Sequence, residues 1–208
     1  QALRIQIGKA LGLGISLSKA FRFKICEALG FGCGGGLISE PMCRLGADVV
    51  AVDASEKNIK TASVHAEAGG LEIEFRNTTA EALAEAGEQF DVIVNMEVIE
   101  HVADVDAYLA ACRKLLKPEG IMLLSTINRT AKAYLFAIIG AERVMRWLPV
   151  GAHDWNKFIT PDELADFSEK AGFAPTEATG FVFNPFGGKW RLSGSDFSVN
   201  YAMAAKGR

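Results

Sequence analysis

Residues 32–53 of this chain read GCGGGLISEPMCRLGADVVAVD, and this stretch determines the predicted fold class. The glycine-rich turn Gly32–Gly36 opens a helix that we predict over Leu37–Leu45 and that Gly46 ends. The apolar run Val49–Val52 follows and leads directly into Asp53. A turn, a helix, a buried strand and an acid in this order are typical of a βαβ unit.

The alternation of strands and helices continues along the chain as far as Thr126. The further predicted strands are Ile73–Phe75, Val92–Val94 and Ile121–Leu124, and the further predicted helices are Glu56–Ala68 and Val105–Leu116. A turn at 117–120 follows the last helix. Because the strands are apolar on both faces, helices should cover both sides of the sheet. We therefore predict a doubly wound, Rossmann-like α/β fold with a mostly parallel sheet.

The segment after Thr126 departs from this alternation. A helical insertion at 129–153 contains a predicted helix over 131–148. Thr160 and Glu163 then predict a capping box for a helix that ends at Gly172. Two final β-type runs, 179–183 and 197–204, predict a C-terminal antiparallel hairpin. We interpret 1–208 as a single domain whose first residues, 1–24, are atypical.

The composition limits the classes of function. The net charge of -3 gives no global attraction to nucleic acid, and we expect no nucleic-acid partner. The four cysteines form no C-x-x-C pair, so we expect reduced thiols: Cys26, Cys33, Cys43 and Cys112. No apolar run reaches the roughly 20 residues that cross a bilayer. Residues 1–24 lack a clear cleavage site, so we expect an amphipathic helix or a chain boundary there, not a signal peptide.

The glycine-rich turn has two interpretations, a ligand-binding loop and tight packing of a strand against a helix. Asp53 lies at roughly the 20-residue offset at which dinucleotide-binding folds place a ribose-binding acid. Its alternative role is to cap the helix that starts near Glu56. The glycine spacing is G-x-G-G-G, whereas a dinucleotide fold would have G-x-G-x-x-G.

Residues 95–102, NMEVIEHV, carry the most informative polar pattern. If a helix begins after Met96, then Glu97, Glu100 and His101 lie on one face of it. Two carboxylates and an imidazole suit a divalent cation, and His153 is the natural fourth ligand. The alternatives are a solvated polar face with a capping His101, and an ordinary loop histidine at His153.

The glycine turn and the acid resemble those of class I methyltransferases, whose cofactor is S-adenosylmethionine. That resemblance assigns the methionine part of the cofactor to Gly32, Gly34 and Gly36, and the ribose to Asp53. It also implies that Ala80 and Glu81 lie near the adenine and that Met96 lies near the sulfonium. From Gly32 onward, the chain is similar to the O-methyltransferases of ubiquinone biosynthesis. The segments that carry this similarity are Gly32–Pro41, Gly46–Ser55, Asn95–Val102, Thr126–Arg129 and His153–Trp155.

This second resemblance implies a polyprenyl catechol substrate and a bound divalent metal, with Mg²⁺ favoured over Zn²⁺, Mn²⁺ or Fe²⁺. The implied metal ligands are Glu97, Glu100, His101 and His153, and the implied catalytic residues are Glu100 and His101. A metal on both catechol oxygens would lower the pKa of the attacking one. His101 could instead act as a general base without a metal.

The insertion interleaves basic and apolar residues, which predicts either contact with an anionic membrane surface or a lid over the site. The basic residues are Arg129, Lys132, Arg143 and Arg146. A polyprenyl substrate lies in the bilayer, so the resemblance implies a cytoplasmic protein, peripheral at an inner membrane (on the matrix side in a mitochondrion). Other proteins of ubiquinone biosynthesis are further expected partners.

The resemblance fails at Gly30, where family members carry an acid two positions before the first loop glycine. The stretch 25–31 is also a poor strand, because Ala28 and Gly30 weaken it. Two other functions therefore stay open: an RNA 2′-O-methyltransferase, which also acts on a diol, and a non-catalytic protein that binds cofactor or lipid.

Overall fold

A mixed sheet forms the centre of the computed structural model, which describes residues 26–146, 149–184 and 187–208. The atypical segment 1–24 lies outside the described residues. The strands are β1 (Cys26–Phe31), β2 (Ala47–Val52), β3 (Glu74–Arg76), β4 (Phe90–Met96), β5 (Leu116–Ile127), β6 (Phe173–Pro175), β7 (Thr179–Asn184), β8 (Lys189–Ser193) and β9 (Asn200–Gly207). Their order is β3-β2-β1-β4-β5-β9-β7-β8, and β6 also pairs with β9.

The first five strands are parallel and the last four are antiparallel. The α-helices are α1 (Ser39–Arg44), α2 (Glu56–Ala68), α3 (Ala80–Glu85), α4 (Val105–Leu115), α5 (Ala131–Ala133) and α6 (Pro161–Lys170). A π-helix, Tyr134–Val144, continues α5, and single 3₁₀ turns cover Ile99–His101 and Trp155–Lys157.

Helices cover both faces of the sheet, because neighbouring residues of β1 belong to different core clusters. Leu29 packs with Leu83 of α3 and Leu109 of α4 in the larger cluster. Ala28 points the other way and packs with Ala62 of α2. The predicted doubly wound α/β fold, with antiparallel strands at its C-terminal end, is therefore confirmed.

The expectation that 25–31 is a poor strand was wrong. Cys26–Phe31 is a central strand that pairs in parallel with both β2 and β4. Gly30 lies opposite Ala51 and Val94, and an added Cβ there would meet Ser39 Oγ at 3.6 Å. Pairing on both sides therefore outweighs the low strand propensity of this segment.

Three other boundaries differ from the sequence predictions. Residues 117–120 belong to the long strand β5 instead of a turn, with a register shift opposite Phe90 and Val92. An additional strand, β8, follows β7 along the chain and pairs with its outer side, whereas β7 pairs with β9 on its other side. The helical part of the insertion ends at Val144 instead of residue 148. The Thr160 capping box is confirmed, and Gly172 follows its helix at φ 88°.

Candidate functional site

The glycine-rich turn connects β1 to α1 at the carboxyl end of the parallel strands. Gly32, Gly34 and Gly36 all have positive φ, at 61°, 50° and 87°, a region that favours glycine. A Cβ on Gly32 would approach Val98 Cγ2 to 2.4 Å, so this glycine allows close packing against the segment after β4. Beside Gly35, by contrast, an added Cβ meets nothing within 4 Å. The turn therefore combines tight packing on one side with open space on the other.

Asp53 lies next to this turn, as the sequence predicted. The backbone N–H of Gly34 donates to Asp53 Oδ2 at 3.0 Å, and the N–H of Ser55 donates to Oδ1 at 2.8 Å. The Asn58 amide donates to both oxygens, at 3.1 and 3.2 Å. Ser55, and not Asp53, caps α2. Asp53 thus holds the glycine turn against the end of β2, where its carboxylate can also meet a ligand hydroxyl.

The other residues assigned to the cofactor lie on elements around this turn. Ala80 begins α3 and is buried in the core, whereas Glu81 beside it is exposed. Met96 ends β4 and is half-buried. The Asn77 amide donates to the carbonyl of Asp53 at 2.8 Å, so the segment before α3 is tied to the same edge.

Glu97 interrupts the helix that was predicted to begin after Met96. Its φ is 56°, a strained conformation for a non-glycine residue, so no helix forms there. Its side chain accepts hydrogen bonds from Ser125 Oγ at 3.0 Å and Asn200 Nδ2 at 2.9 Å. Burial raises the pKa of this carboxyl, although those bonds and the charge of His153 oppose the rise.

Glu100 is the more isolated carboxyl, with 3% of its surface exposed. Thr126 Oγ1 donates to Glu100 Oε2 at 2.9 Å, and Oε1 accepts no hydrogen bond from any described residue. Burial first, and then the charge of Glu97, raise the pKa of Glu100 to about 8. A positively charged group placed near Glu97 and Glu100 would therefore be strongly favoured.

The two histidines meet beside these acids. The ring centroids of His101 and His153 lie 5.8 Å apart at an interplanar angle of 34°. Burial lowers the pKa of His101, and the charges of His153 and Lys157 lower it further. His153 Nδ1 lies 2.9 Å from Glu142 Oε1. Neutral His101 can therefore accept a proton or donate a lone pair to a cation.

The sequence prediction of one helical face was wrong, although the residues that it named do act on one another. Glu100 and His101 share a 3₁₀ turn, and both Glu97 and His153 act electrostatically on this region. Among the described residues, no three His, Cys, Asp or Glu side chains form a group that could hold a metal ion. The donor types and the unpartnered Glu100 oxygen nevertheless fit a divalent cation chemically. Bringing three donors together would require side chains to turn.

Sequence reasoning missed four residues that hold these groups in place: Thr126, Ser125, Asn200 and Glu142. Ser125 and Asn200 come from strands β5 and β9, whose antiparallel pairing could not be read locally. Glu142 did leave a signal, since it is the single acid in the apolar stretch 134–148. Three cysteines among the described residues, Cys33, Cys43 and Cys112, are free thiols, as expected.

Comparison with known sequences identifies relatives. A family profile described as a methyltransferase domain matches residues 17–178. The ubiquinone biosynthesis O-methyltransferase of Roseobacter denitrificans is 61% identical over 183 residues, which are 88% of this chain and 74% of that protein. The protein of the same name from Ruegeria pomeroyi is 62% identical over 177 residues, 85% of this chain and 71% of that protein.

Solved structures resemble the fold at much lower identity. Magnesium protoporphyrin IX methyltransferase from Synechocystis, solved with bound S-adenosylhomocysteine, has a TM-score of 0.66 at 19% identity. The match covers 98% of this chain and 85% of that one. A S-adenosylmethionine-dependent methyltransferase from Clostridium acetobutylicum has a TM-score of 0.67 at 12% identity, covering 95% of this chain and 90% of that one. The predicted methyltransferase type of α/β fold is confirmed.

Proposed function

This chain belongs to the ubiquinone biosynthesis O-methyltransferases, and we propose that it transfers the methyl group of S-adenosylmethionine to a hydroxyl oxygen of a polyprenyl catechol. The proposal rests on one observation: the glycine turn is in contact with the segment that carries the acids and His101. The glycine turn packs through Gly32 against Val98, which lies between Glu97 and the Glu100–His101 turn. A methyl donor on the turn would therefore lie beside the acids and histidines.

The reaction needs one proton acceptor and one leaving group. The catechol oxygen loses its proton and forms the new O–CH₃ bond with a lone pair. The C–S bond of the sulfonium breaks, and its electron pair stays on sulfur as S-adenosylhomocysteine. Both reactants must be held in line, and their fixed orientation supplies most of the rate enhancement.

Cofactor binding is proposed for the turn and the strand ends around it. The open space beside Gly34 and Gly35 admits the methionine part, because a Cβ there would meet little protein. Asp53 is proposed to accept from the ribose hydroxyls, with one of its Asn58 bonds giving way. Glu81 and Met96 border the remaining length of the cofactor, with Ala80 supporting the adenine end from the core.

A divalent cation is proposed between Glu97, Glu100, His101 and His153. The buried, unpartnered oxygen of Glu100 and the mutual repulsion of the two acids support this assignment. When bound, such a cation would grip the catechol oxygens and lower the pKa of the attacking hydroxyl. The released proton would then pass to water. Without a cation, His101 would instead be the general base, because its surroundings favour the neutral imidazole.

The insertion is proposed to contact an anionic membrane surface. Several of its apolar side chains are exposed: Tyr134, Leu135, Phe136, Val144 and Met145. Arg143 and Arg146 are exposed beside them, whereas Lys132 binds Ser198 and Arg129 binds Glu163. Because a serine hydroxyl does not neutralise Lys132, the positive charge available to a membrane comes from Lys132, Arg143 and Arg146. No helix among the described residues is long and apolar enough to span a bilayer.

Calorimetric titration tests the proposed function. S-adenosylhomocysteine should bind the protein, and a short-chain polyprenyl catechol should bind only when Mg²⁺ or Mn²⁺ is present. Catechol binding of equal strength without metal would overturn the metal site and leave His101 as the general base. No binding of S-adenosylhomocysteine would overturn the enzymatic proposal itself.

A further inference from the structure

Glu142 is a buried carboxylate of the insertion whose contacts converge on one loop. Its exposed fraction is 1%, and it lies on the π-helix Tyr134–Val144. The backbone N–H of Gly151 donates to Oε2 at 2.7 Å, and the backbone N–H of His153 donates to Oε1 at 2.9 Å. The same Oε1 lies 2.9 Å from His153 Nδ1. One side chain therefore fixes both the loop and the ring of His153.

The hydrogen bonds of Glu142 determine which ring nitrogen carries the proton. Each carboxylate oxygen already accepts a backbone N–H bond, Oε2 from Gly151 and Oε1 from His153, so the side chain is arranged as an acceptor. An ionised carboxylate only accepts hydrogen bonds, so His153 Nδ1 must donate. The lone pair of a neutral ring then lies on Nε2, on the opposite edge of the imidazole.

Ring packing restricts His153 further. Its exposed fraction is 12%, and its ring meets Phe158 edge-on at a centroid distance of 6.1 Å. The ring centroid of His101 lies 5.8 Å from that of His153, with the two rings tilted by 34°. With Nδ1 held by Glu142 and the ring held by its two neighbours, the imidazole has little freedom to flip.

We propose that Glu142 is a positioning residue, which holds His153 in the Nδ1–H tautomer so that Nε2 is available to the ion proposed beside Glu97 and Glu100. This inference rests on the proposed function. It adds Glu142 to the proposed metal site as a residue that acts through His153. A histidine ligand commonly donates its other N–H to a carboxylate, which fixes the tautomer and strengthens the ligand. π-Helical segments such as the one that carries Glu142 occur frequently at functional sites.

The tautomer can be measured without metal, cofactor or substrate. The chain has three histidines, so ¹⁵N spectra of histidine-labelled protein at alkaline pH are simple, and His153→Gln assigns the signal. In the wild type we expect the proton on Nδ1. Glu142→Ala should shift the population towards Nε2–H. Glu142→Gln should largely retain Nδ1–H, because its amide oxygen can still accept from the ring.

Two spectral results would overturn the proposal: a wild-type proton on Nε2, or a folded Glu142→Ala protein with an unchanged His153 signal. The wild-type spectrum decides the point even if Glu142→Ala does not fold. Glu119→Gln, which changes an exposed glutamate of β5, is the matched control and should leave the signal unchanged.

Titration with Mn²⁺ alone gives a second readout. Glu142→Ala should weaken Mn²⁺ binding by about 10- to 100-fold, and Glu142→Gln should weaken it less. Unchanged Mn²⁺ affinity in Glu142→Ala would contradict the positioning role. If the wild type binds no Mn²⁺, the metal part of the proposed function fails, whereas the ¹⁵N spectra still decide whether Glu142 sets the tautomer.

Discussion

Glu97 combines a strained backbone with a fully satisfied side chain. Its φ of 56° is uncommon outside glycine, and it persists because Ser125 and Asn200 hold the carboxylate from two other strands. Strain of this kind clusters at active sites, where surrounding contacts impose it. The strained residue also acts on the second acid, because the charge of Glu97 raises the pKa of Glu100.

Glu100→Gln tests whether the acids bind a cation. Glutamine keeps the shape of the side chain and an oxygen for the Thr126 hydroxyl, but it cannot ionise when a cation binds. We expect Mn²⁺ binding and catechol methylation to be lost together, with S-adenosylhomocysteine binding and thermal stability unchanged. Retained Mn²⁺ binding with lost methylation would show that Glu100 acts without a metal. Glu119→Gln provides the control for loss of a carboxylate elsewhere.

Gly34→Ala tests the cofactor assignment. The left-handed conformation at φ 50° costs alanine about 1–2 kcal/mol, and the new methyl group enters the open side of the turn. We expect S-adenosylhomocysteine binding to weaken about tenfold or more. Gly70→Ala carries similar strain at φ 62° but lies between α2 and β3, where an added Cβ meets nothing within 4 Å. An equal loss of S-adenosylhomocysteine binding in both variants would mean that backbone strain alone causes the loss, which would contradict the cofactor assignment.

The insertion, 129–153, is an element with two different faces. Ala133 and Ile138 are buried in a small cluster with Ile127 and Phe158, which fixes the insertion to the end of β5. Leu135 and Phe136 are more than half exposed on the other side. The lid and the membrane interpretations of this segment are thus compatible, because each uses a different face.

Leu135→Ser combined with Phe136→Ser should weaken binding to vesicles that contain anionic lipid. Burying each apolar side chain contributes about 1.5–3 kcal/mol, so we expect a loss of at least tenfold. Trp190→Ser is the control, since Trp190 is 62% exposed on β8, outside the insertion.

Binding of the wild type to anionic vesicles should also fall with added salt, because Arg143 and Arg146 contribute electrostatically. Equal binding to neutral and anionic vesicles would contradict that contribution.

The stability of a Leu29 variant tests whether the segment 26–31 is a core strand. Leu29 has no exposed surface, so Leu29→Ala should lower the free energy of unfolding by about 2–5 kcal/mol in urea denaturation. Leu37→Ala is the matched control, because Leu37 is 83% exposed and should change stability by less than about 0.5 kcal/mol. A small effect at Leu29 would mean that β1 is not part of the core.

The elements show why the sequence predicted some features and missed others. Helix α2 and strands β2 and β4 follow local periodicity and caps, so their positions were predicted. Strand β1 owes its conformation to pairing on both sides, which propensity does not register. The predicted helix at Glu97 failed because contacts from β5 and β9 impose a left-handed residue there. Glu142 was missed because its role depends on a loop that folds back on it.

At the scale of the whole molecule, the parallel strands bring the separate parts of the site to one edge. The glycine turn follows strand β1, and the acid–histidine segment follows the neighbouring strand β4; the two contact each other through Gly32 and Val98. Asp53 follows strand β2 and binds the turn, and Glu142 and His153 lie in the insertion after β5. Ligand sites at the carboxyl ends of such strands are a general property of open α/β sheets.

The most direct test of the account is methyl transfer by the purified chain from isotope-labelled S-adenosylmethionine to a short-chain polyprenyl catechol, followed by mass spectrometry. We predict a labelled methyl ether on one catechol oxygen, formed together with an equal amount of S-adenosylhomocysteine and dependent on added divalent metal. A chain that binds S-adenosylmethionine but leaves the catechol unlabelled under those conditions would contradict the proposed function.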